Sequence, residues 1–168
     1  MNELIDAHPL PNGTPLPDFT LMNSQNNTVS LGDIHKGNGV VVAFIHATWC
    51  PYCLRQLRRL NTFAPKLNRR EIGMACISAD PPHILYAYEQ SCDPPLQYPL
   101  LADSEPSLSH NFGIFDADPD HESPFPAVFF AGPDNKITYS DVSKDPDCFP
   151  DMEQLIETID SNLKLESI

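Results

Sequence analysis

The stretch Val40-Val41-Val42-Ala43-Phe44-Ile45, followed by His46-Ala47-Thr48-Trp49 and then Cys50-Pro51-Tyr52-Cys53, decides how the chain folds. The run from 40 to 45 is apolar throughout and offers no polar face. Such a run suits a central strand buried on both sides. Behind the cysteines the pattern turns helical. Leu57, Leu60, Ala64 and Leu67 fall on one stripe with Leu54 beside it, and Arg55, Arg58 and Arg59 lie on the other side. Pro51 sits where a first-turn proline belongs. A buried strand running into an amphipathic helix is the opening of a parallel crossover.

Working outward, Ile72–Ile77 reads as the next buried strand. Pro82–Ser91 reads as a helix with Ile84, Leu85 and Tyr88 on its apolar side. Pro99–Ala102 is a short extended piece, Ser104–Phe112 a short helix and Asp116–Glu122 an acidic loop. Ala127–Ala131 and Ile137–Ser140 form a hairpin about the turn Gly132–Asn135. Pro150–Leu163 closes as a helix with Met152, Leu155, Ile156 and Ile159 inward. Upstream, Asp18–Met22 and Thr28–Leu31 are short strands around the polar turn Asn23–Asn27, and Gly37–Gly39 breaks the chain. Residues 1–17 read as an extended arm and 18–168 as one domain. Crossovers first and a hairpin after them predict a mixed central sheet with helices on both faces, an α/β/α sandwich of three layers.

The composition sets limits. A chain of 168 residues suits one domain, and 41% hydrophobic residues suffice for a core. With 10 Lys+Arg against 23 Asp+Glu the net charge is −13, which disfavours nucleic acid and anionic membrane as partners. No apolar run approaches the roughly 18 residues a spanning helix needs. Met1–Leu10 carries no basic patch and no apolar run, so no signal peptide is expected and the default address is the cytoplasm. The 18 prolines cluster at element boundaries.

Cysteines stand at 50, 53, 76, 92 and 148, an odd number that argues against a purely structural disulfide framework. Cys50 and Cys53 fall at the strand–helix junction. Unpaired N–H groups and the helix dipole at that point favour a thiolate at Cys50. Cys53, one turn later, is placed to resolve a mixed disulfide made by the first. Six of the ten basic residues lie between Arg55 and Arg70, and they add positive charge behind the pair. A CxxC can be half of a zinc site, but no second CxxC, HxxxH or CxxH completes one, so no metal or other cofactor is expected. Cys76 falls inside a buried strand and reads as inert. Cys92 follows a helix end, and Cys148 sits in a proline-flanked loop with no assigned role.

These residues carry a resemblance. Pro17-Asp18-Phe19-Thr20-Leu21 with Val29-Ser30-Leu31, then Ala47-Thr48-Trp49-Cys50-Pro51-Tyr52-Cys53, resemble stretches of one branch of the thioredoxin fold. So do Pro99-Leu100-Leu101-Ala102-Asp103 with Phe112-Gly113, and Pro126-Ala127-Val128-Phe129-Phe130 with Asp134-Asn135-Lys136-Ile137. The branch is that of the AhpC/TSA peroxiredoxin-like and redoxin-type thiol–disulfide proteins, and the matches run in order over nearly the whole chain. The resemblance implies a thioredoxin-like fold, Cys50 as nucleophile and Cys53 as resolving thiol. It also implies a cis peptide bond before Pro126 that lets the Phe125–Pro126 backbone pair with an extended substrate.

The substrate implied is a protein or small-molecule disulfide, or a hydroperoxide, with a thioredoxin or glutathione system as reductant. Trp49, Pro51 and Tyr52 border the reactive thiol as a landing platform. The acidic loop is expected near the same face, where it disfavours acidic partners. The pattern departs from peroxiredoxins proper in two places. Their Thr three residues before the reactive Cys is not matched, since Thr48 is two before Cys50, and their later Arg falls near Phe125–Pro126, where none stands. Disulfide exchange therefore ranks above peroxide reduction, in which Cys53 or Cys92 would resolve a Cys50 sulfenic acid. A redox sensor or a Cu(I)-carrying module is the reading of another class. His46 is a candidate base. Monomer and homodimer both stay open, with Phe112, Phe115, Phe129 and Phe130 as core or dimer patch.

Overall fold

The structure, a computed structural model, describes residues 8–116, 123–143 and 149–166. A hairpin of β1 (Thr20–Asn23) and β2 (Thr28–Ser30) leads into a single helical turn, α1 (Leu31–Ile34). The central unit is β3 (Val40–Ile45), α2 (Pro51–Arg69), β4 (Gly73–Ser78) and α3 (Pro82–Gln90). Then come β5 (Leu100–Ala102), α4 (Ser107–Asn111) and a small ribbon of β6 (Phe115–Asp116) with β7 (Ser123–Pro124). The hairpin β8 (Ala127–Ala131) and β9 (Ile137–Val142) and the helix α5 (Met152–Glu166) complete the fold. Among the described residues the main sheet runs β2-β1-β5-β4-β3-β8-β9. β3 pairs in parallel with β4 and antiparallel with β8, so the sheet is mixed.

The central strand behaves as its composition demands. All six residues of β3 are buried, and alternate side chains enter two different cores. Val41, Ala43 and Ile45 face α2, α3 and α5. Val40, Val42 and Phe44 face α1 and α4, where the rings of Phe44, Phe112 and Phe129 pack edge to face. This is the three-layer thioredoxin-like α/β/α arrangement expected. The predicted α2 stripe is buried as read: Leu57, Leu60 and Leu67 are fully enclosed, while Arg55, Arg58 and Arg59 are exposed. Gly73 admits no side chain, because a Cβ there would stand 1.7 Å from the Ile34 carbonyl oxygen. That close approach brings α1 onto the sheet.

Two readings change. Thr28–Leu31 does not continue as strand to its end. Ser30 caps α1 reciprocally with Asp33, each side chain bonding the other's backbone N–H, and the helix begins at Leu31. Ile84 is exposed and does not join Leu85, because α3 turns one narrow stripe inward and Ile84 falls off it. Of the four phenylalanines weighed as a dimer patch, Phe112, Phe129 and Phe130 are core residues. The acidic loop 117–122 and Cys148 lie outside the described residues.

Residues 8–17 run along the domain. Gly13 and Leu16 donate backbone hydrogen bonds to Ile137 and Asn135, and Leu16 is buried. On the opposite side of the sheet, α2 and α5 are tied by a paired contact. Arg70 Nε and Nη2 donate to the Asp160 carboxylate at 2.6 and 3.1 Å.

Leu57→Ala should cost about 2–5 kcal/mol of unfolding free energy, since the enclosed site leaves a cavity. Tyr86→Ala, at an exposed position, should stay within about 0.5 kcal/mol of wild type. Urea titration checks both. The Arg70 guanidinium holds the Asp160 carboxyl below its ordinary value. A depressed carboxylate contributes stability that is present above its unfolded pKa and lost as pH falls through the folded one. Because Asp160 is 41% exposed, Asp160→Asn should cost less than about 1 kcal/mol at pH 7. The difference should vanish in strong acid.

Candidate active site

The end of β3 delivers the chain into a tight turn, His46 to Trp49, before α2 begins. The Cys50 N–H donates to the Ala47 carbonyl at 3.4 Å, and the Cys50 carbonyl accepts from Leu54 at 2.9 Å. Cys50 is the N-cap of α2, with extended backbone (φ −80, ψ 124) and Pro51 at the first helical position. The N-terminal end of the helix therefore opens at the Cys50 side chain. Cys50 is half-buried, Cys53 is buried, and both are free thiols.

Their environments differ because of helix geometry. Cys53, Leu57, Leu60, Ala64 and Leu67 follow the spacing of one buried stripe, and Cys53 is its first member. Burial pushes the Cys53 thiol up to about 11, and the neighbouring Cys50 sulfur pushes the same way. The backbone at Ala47 and His46 hydrogen-bonds the Cys53 sulfur and acts in the opposite direction. Cys76, on β4 below the pair, is fully buried and its thiol is raised far out of the titrating range, as expected of an inert core cysteine.

Trp49 is 67% exposed and Tyr52 40% exposed. Trp49 stands edge-on to the His46 ring, with centroids 5.0 Å apart. With exposed Pro51, the two aromatics surround the opening to Cys50. Phe125 and Pro126 are buried at the start of β8. The Phe125–Pro126 bond is not the expected cis bond: it is trans, and the cis bond among the described residues is Asp93–Pro94. The extended segment has its own partners. Phe125 N–H donates to Ile114 at 2.8 Å, and the Pro126 carbonyl accepts from Ser143 at 2.9 Å. Those two backbone groups are occupied within the fold.

Cys92 is partly buried, and its thiol donates to the Tyr88 carbonyl at 3.4 Å. It lines a cleft of about 530 Å³ between α2 and α3, together with Arg58, Asn61, Thr62 and Tyr88. The α2 residues of that cleft begin at Arg58, two helical turns past Cys50 and about 12 Å along the helix axis. The α2 cations divide similarly. Arg59 approaches Glu153 at 3.9 Å, Lys66 lies over the Phe63 ring at 4.7 Å, and Arg70 binds Asp160. These groups brace α5 or pack along the helix. Among the described residues, no three His, Cys, Asp or Glu side chains are grouped to hold a metal ion.

One residue of the site escaped the sequence reading. Asp80, two residues past β4, is 7% exposed. Its Oδ2 accepts from the Thr48 N–H at 2.7 Å, the Thr48 hydroxyl at 2.9 Å and the Ser78 hydroxyl at 3.0 Å. The available signal was the pattern Ser78-x-Asp80 at the carboxyl end of a buried strand, the edge where α/β sheets place their sites.

Alkylation should follow this asymmetry. A thiol held near 11 has about a hundredth of the thiolate of an ordinary cysteine at neutral pH, before burial is counted. Iodoacetamide at pH 7 should label Cys50 well before Cys53. Labelling of Cys53 should climb steadily towards pH 11, as peptide mass spectrometry would show. Equal rates at the two sites would contradict the geometry.

The family model described as the AhpC/TSA family matches residues 12–140. A 1-Cys peroxiredoxin of Onchocerca volvulus is 30% identical over 120 residues, which is 63% of this chain and 52% of that protein. The chain thus spans about half the length of that relative. The thiol-disulfide oxidoreductase ResA of Bacillus cereus is 24% identical over 126 residues, 74% of this chain and 66% of that one. The fold is shared with the yeast mitochondrial 1-Cys peroxiredoxin at a TM-score of 0.83 and 14% identity, over 94% of this chain and 78% of that one. A strand–turn–helix carrying Cys50, set in a sheet of this order and matched over most of its length, places the chain in the AhpC/TSA family.

Proposed function

We propose that the protein is a dithiol–disulfide oxidoreductase. Cys50 thiolate attacks one sulfur of a substrate disulfide, RS–SR′. The Cys50–SR bond forms and R′S⁻ leaves, taking a proton from solvent. Cys53, deprotonated in turn, attacks the Cys50 sulfur. The Cys50–Cys53 bond forms and RS⁻ departs. The substrate gains two electrons, the protein holds a disulfide, and a thioredoxin or glutathione system returns it to the dithiol. The solved yeast relative is resolved through such systems.

The observation that carries this reading is the pairing of an accessible Cys50 at the cap with a buried Cys53 against it. The exposed rim of Trp49 and Tyr52 suits an extended or protein substrate. Thr48 supports it further. It stands two residues before the reactive cysteine, and its hydroxyl hydrogen is donated to Asp80 and so is engaged within the fold. The cytoplasm, a reducing compartment, suits a dithiol that must be returned to its reduced state. Among the described residues no helix is long and apolar enough to cross a membrane.

Thiol-dependent peroxide reduction is the second reading, favoured by the peroxiredoxin relatives. In it Cys50 thiolate takes the terminal oxygen of ROOH and releases ROH. The Cys50 sulfenic acid then condenses with Cys53, releasing water. Cys53 fills the resolving role better than Cys92, which lies down the α2–α3 cleft.

Stopped-flow reaction of the reduced protein with an insulin-type disulfide and, separately, with hydrogen peroxide distinguishes the two. Rapid disulfide reduction is expected, with Cys50→Ser lowering it at least about a thousandfold. Cys53→Ser should stop at a mixed disulfide on Cys50. Fast, Cys50-dependent peroxide consumption with slow disulfide reduction would make the protein a peroxidase. Inertness to both would move the assignment to a redox sensor or Cu(I) carrier.

A further inference from the structure

Asp80 is hydrogen-bonded to the turn that leads from β3 to both cysteines. It follows β4, on a segment separate from the β3–α2 junction, and reaches across to it. Its Oδ2 takes both polar donors of Thr48, the N–H at 2.7 Å and the hydroxyl at 2.9 Å. The Ser78 hydroxyl completes the set at 3.0 Å and also accepts from the Asp80 N–H at 3.2 Å. Thr48 and Asp80 are both buried, so solvent offers these groups little exchange. Hydrogen bonds to a carboxylate in such surroundings are the stronger kind. Thr48 follows His46 and Ala47, the residues whose backbone meets the Cys53 sulfur. The bond to the Thr48 N–H fixes the Ala47–Thr48 peptide plane, which adjoins the one that carries the Ala47 N–H.

We propose that Asp80 is the positioning residue of the redox turn: through Thr48 it holds the His46–Ala47 backbone against the Cys53 sulfur, and so sets how fast Cys53 closes the disulfide. The inference rests on the dithiol reading above and deepens it. The step concerned is the second one, in which the Cys53–Cys50 bond forms and the substrate thiolate leaves. Other titratable groups facing Cys53 are Cys50 on its own helix and Cys76 on β4. Asp80 acts on Cys53 through the backbone.

A chromogenic aryl disulfide tests this, because it releases one coloured thiolate when Cys50 attacks and a second when Cys53 resolves. Both phases can be timed in one trace across pH. Asp80→Ala should leave the first phase within about threefold of wild type and slow the second about tenfold or more, since small misplacements of reacting groups cost that much. The half-maximal pH of the second phase should rise, because the backbone hydrogen bonds that favour the Cys53 thiolate are loosened. Asp80→Asn, which keeps an acceptor but loses the charge, should fall between the two. Thr48→Val keeps the N–H bond and deletes only the hydroxyl. It should slow the second phase at least about threefold, and it decides the matter if Asp80→Ala does not fold.

A second phase of unchanged rate and pH dependence in the folded variants would overturn the role of Asp80 alone. So would equal slowing of both phases. Wild-type protein lacking a Cys50-dependent first phase and a Cys53-dependent second would overturn the dithiol reading and this inference together.

Discussion

The constraint on which the rest depends is that β3 has no solvent face. Val40, Val42 and Phe44 fill one core while Val41, Ala43 and Ile45 fill the other. The strand also has neighbours on both edges, β4 in parallel and β8 antiparallel. A one-residue slip would exchange every side chain between two unlike cores, one rich in aromatic rings and the other in helix-facing aliphatics. The register is therefore fixed, and so is the point where the strand ends. The His46–Trp49 turn starts from that point, and Cys50 is placed by it. The chemistry inherits its precision from packing many residues away from the sulfur atoms.

The electrostatics follow a less obvious plan. A chain of net charge −13 concentrates six of its ten basic residues between Arg55 and Arg70. The sequence invites the view that they serve the cysteine at the head of their helix. The contacts of three of them show another use. Arg59 and Arg70 meet Glu153 and Asp160 of α5, and Lys66 covers the Phe63 ring. The basic side of α2 thus anchors an acidic helix on the same layer of the sandwich. Such contacts at exposed positions contribute modestly one by one. Their effect is to orient α5, whose Met152, Leu155 and Ile159 then supply the burial.

Much of this was legible in the residues. The apolar run 40–45, the α2 stripe and the hairpin turn have periods that admit one structure each, so core and topology could be read directly. Cys53 was legible too, since its spacing from Leu57 and Leu60 continues the buried stripe. What escaped was set by partners remote in sequence. Pro126 lies in a trans bond, and its segment pairs with Ile114 and Ser143, partners that are not visible from Pro126 itself. Ile84 looked like a core residue by composition, and only the narrow contact of α3 leaves it outside. Asp80 escaped as well, because its meaning depends on Thr48, 32 positions earlier.

The same separation explains why the two cysteines differ. In α2 the cap residue is half-exposed and the third residue falls on the buried stripe, so the CxxC divides into one open and one desolvated thiol. Desolvation alone would leave Cys53 a poor nucleophile at neutral pH. The turn before Cys50 counters this by turning backbone hydrogen-bonding groups towards the Cys53 sulfur. That turn is short and carries exposed Trp49. A buried carboxylate delivered by the neighbouring parallel strand holds it from outside, because β3 and β4 end side by side and whatever follows one can bind whatever follows the other. The parallel pairing of two buried strands therefore builds more than the core. It brings a fixed negative acceptor to the backbone that the second cysteine needs, without placing that charge on the sulfur.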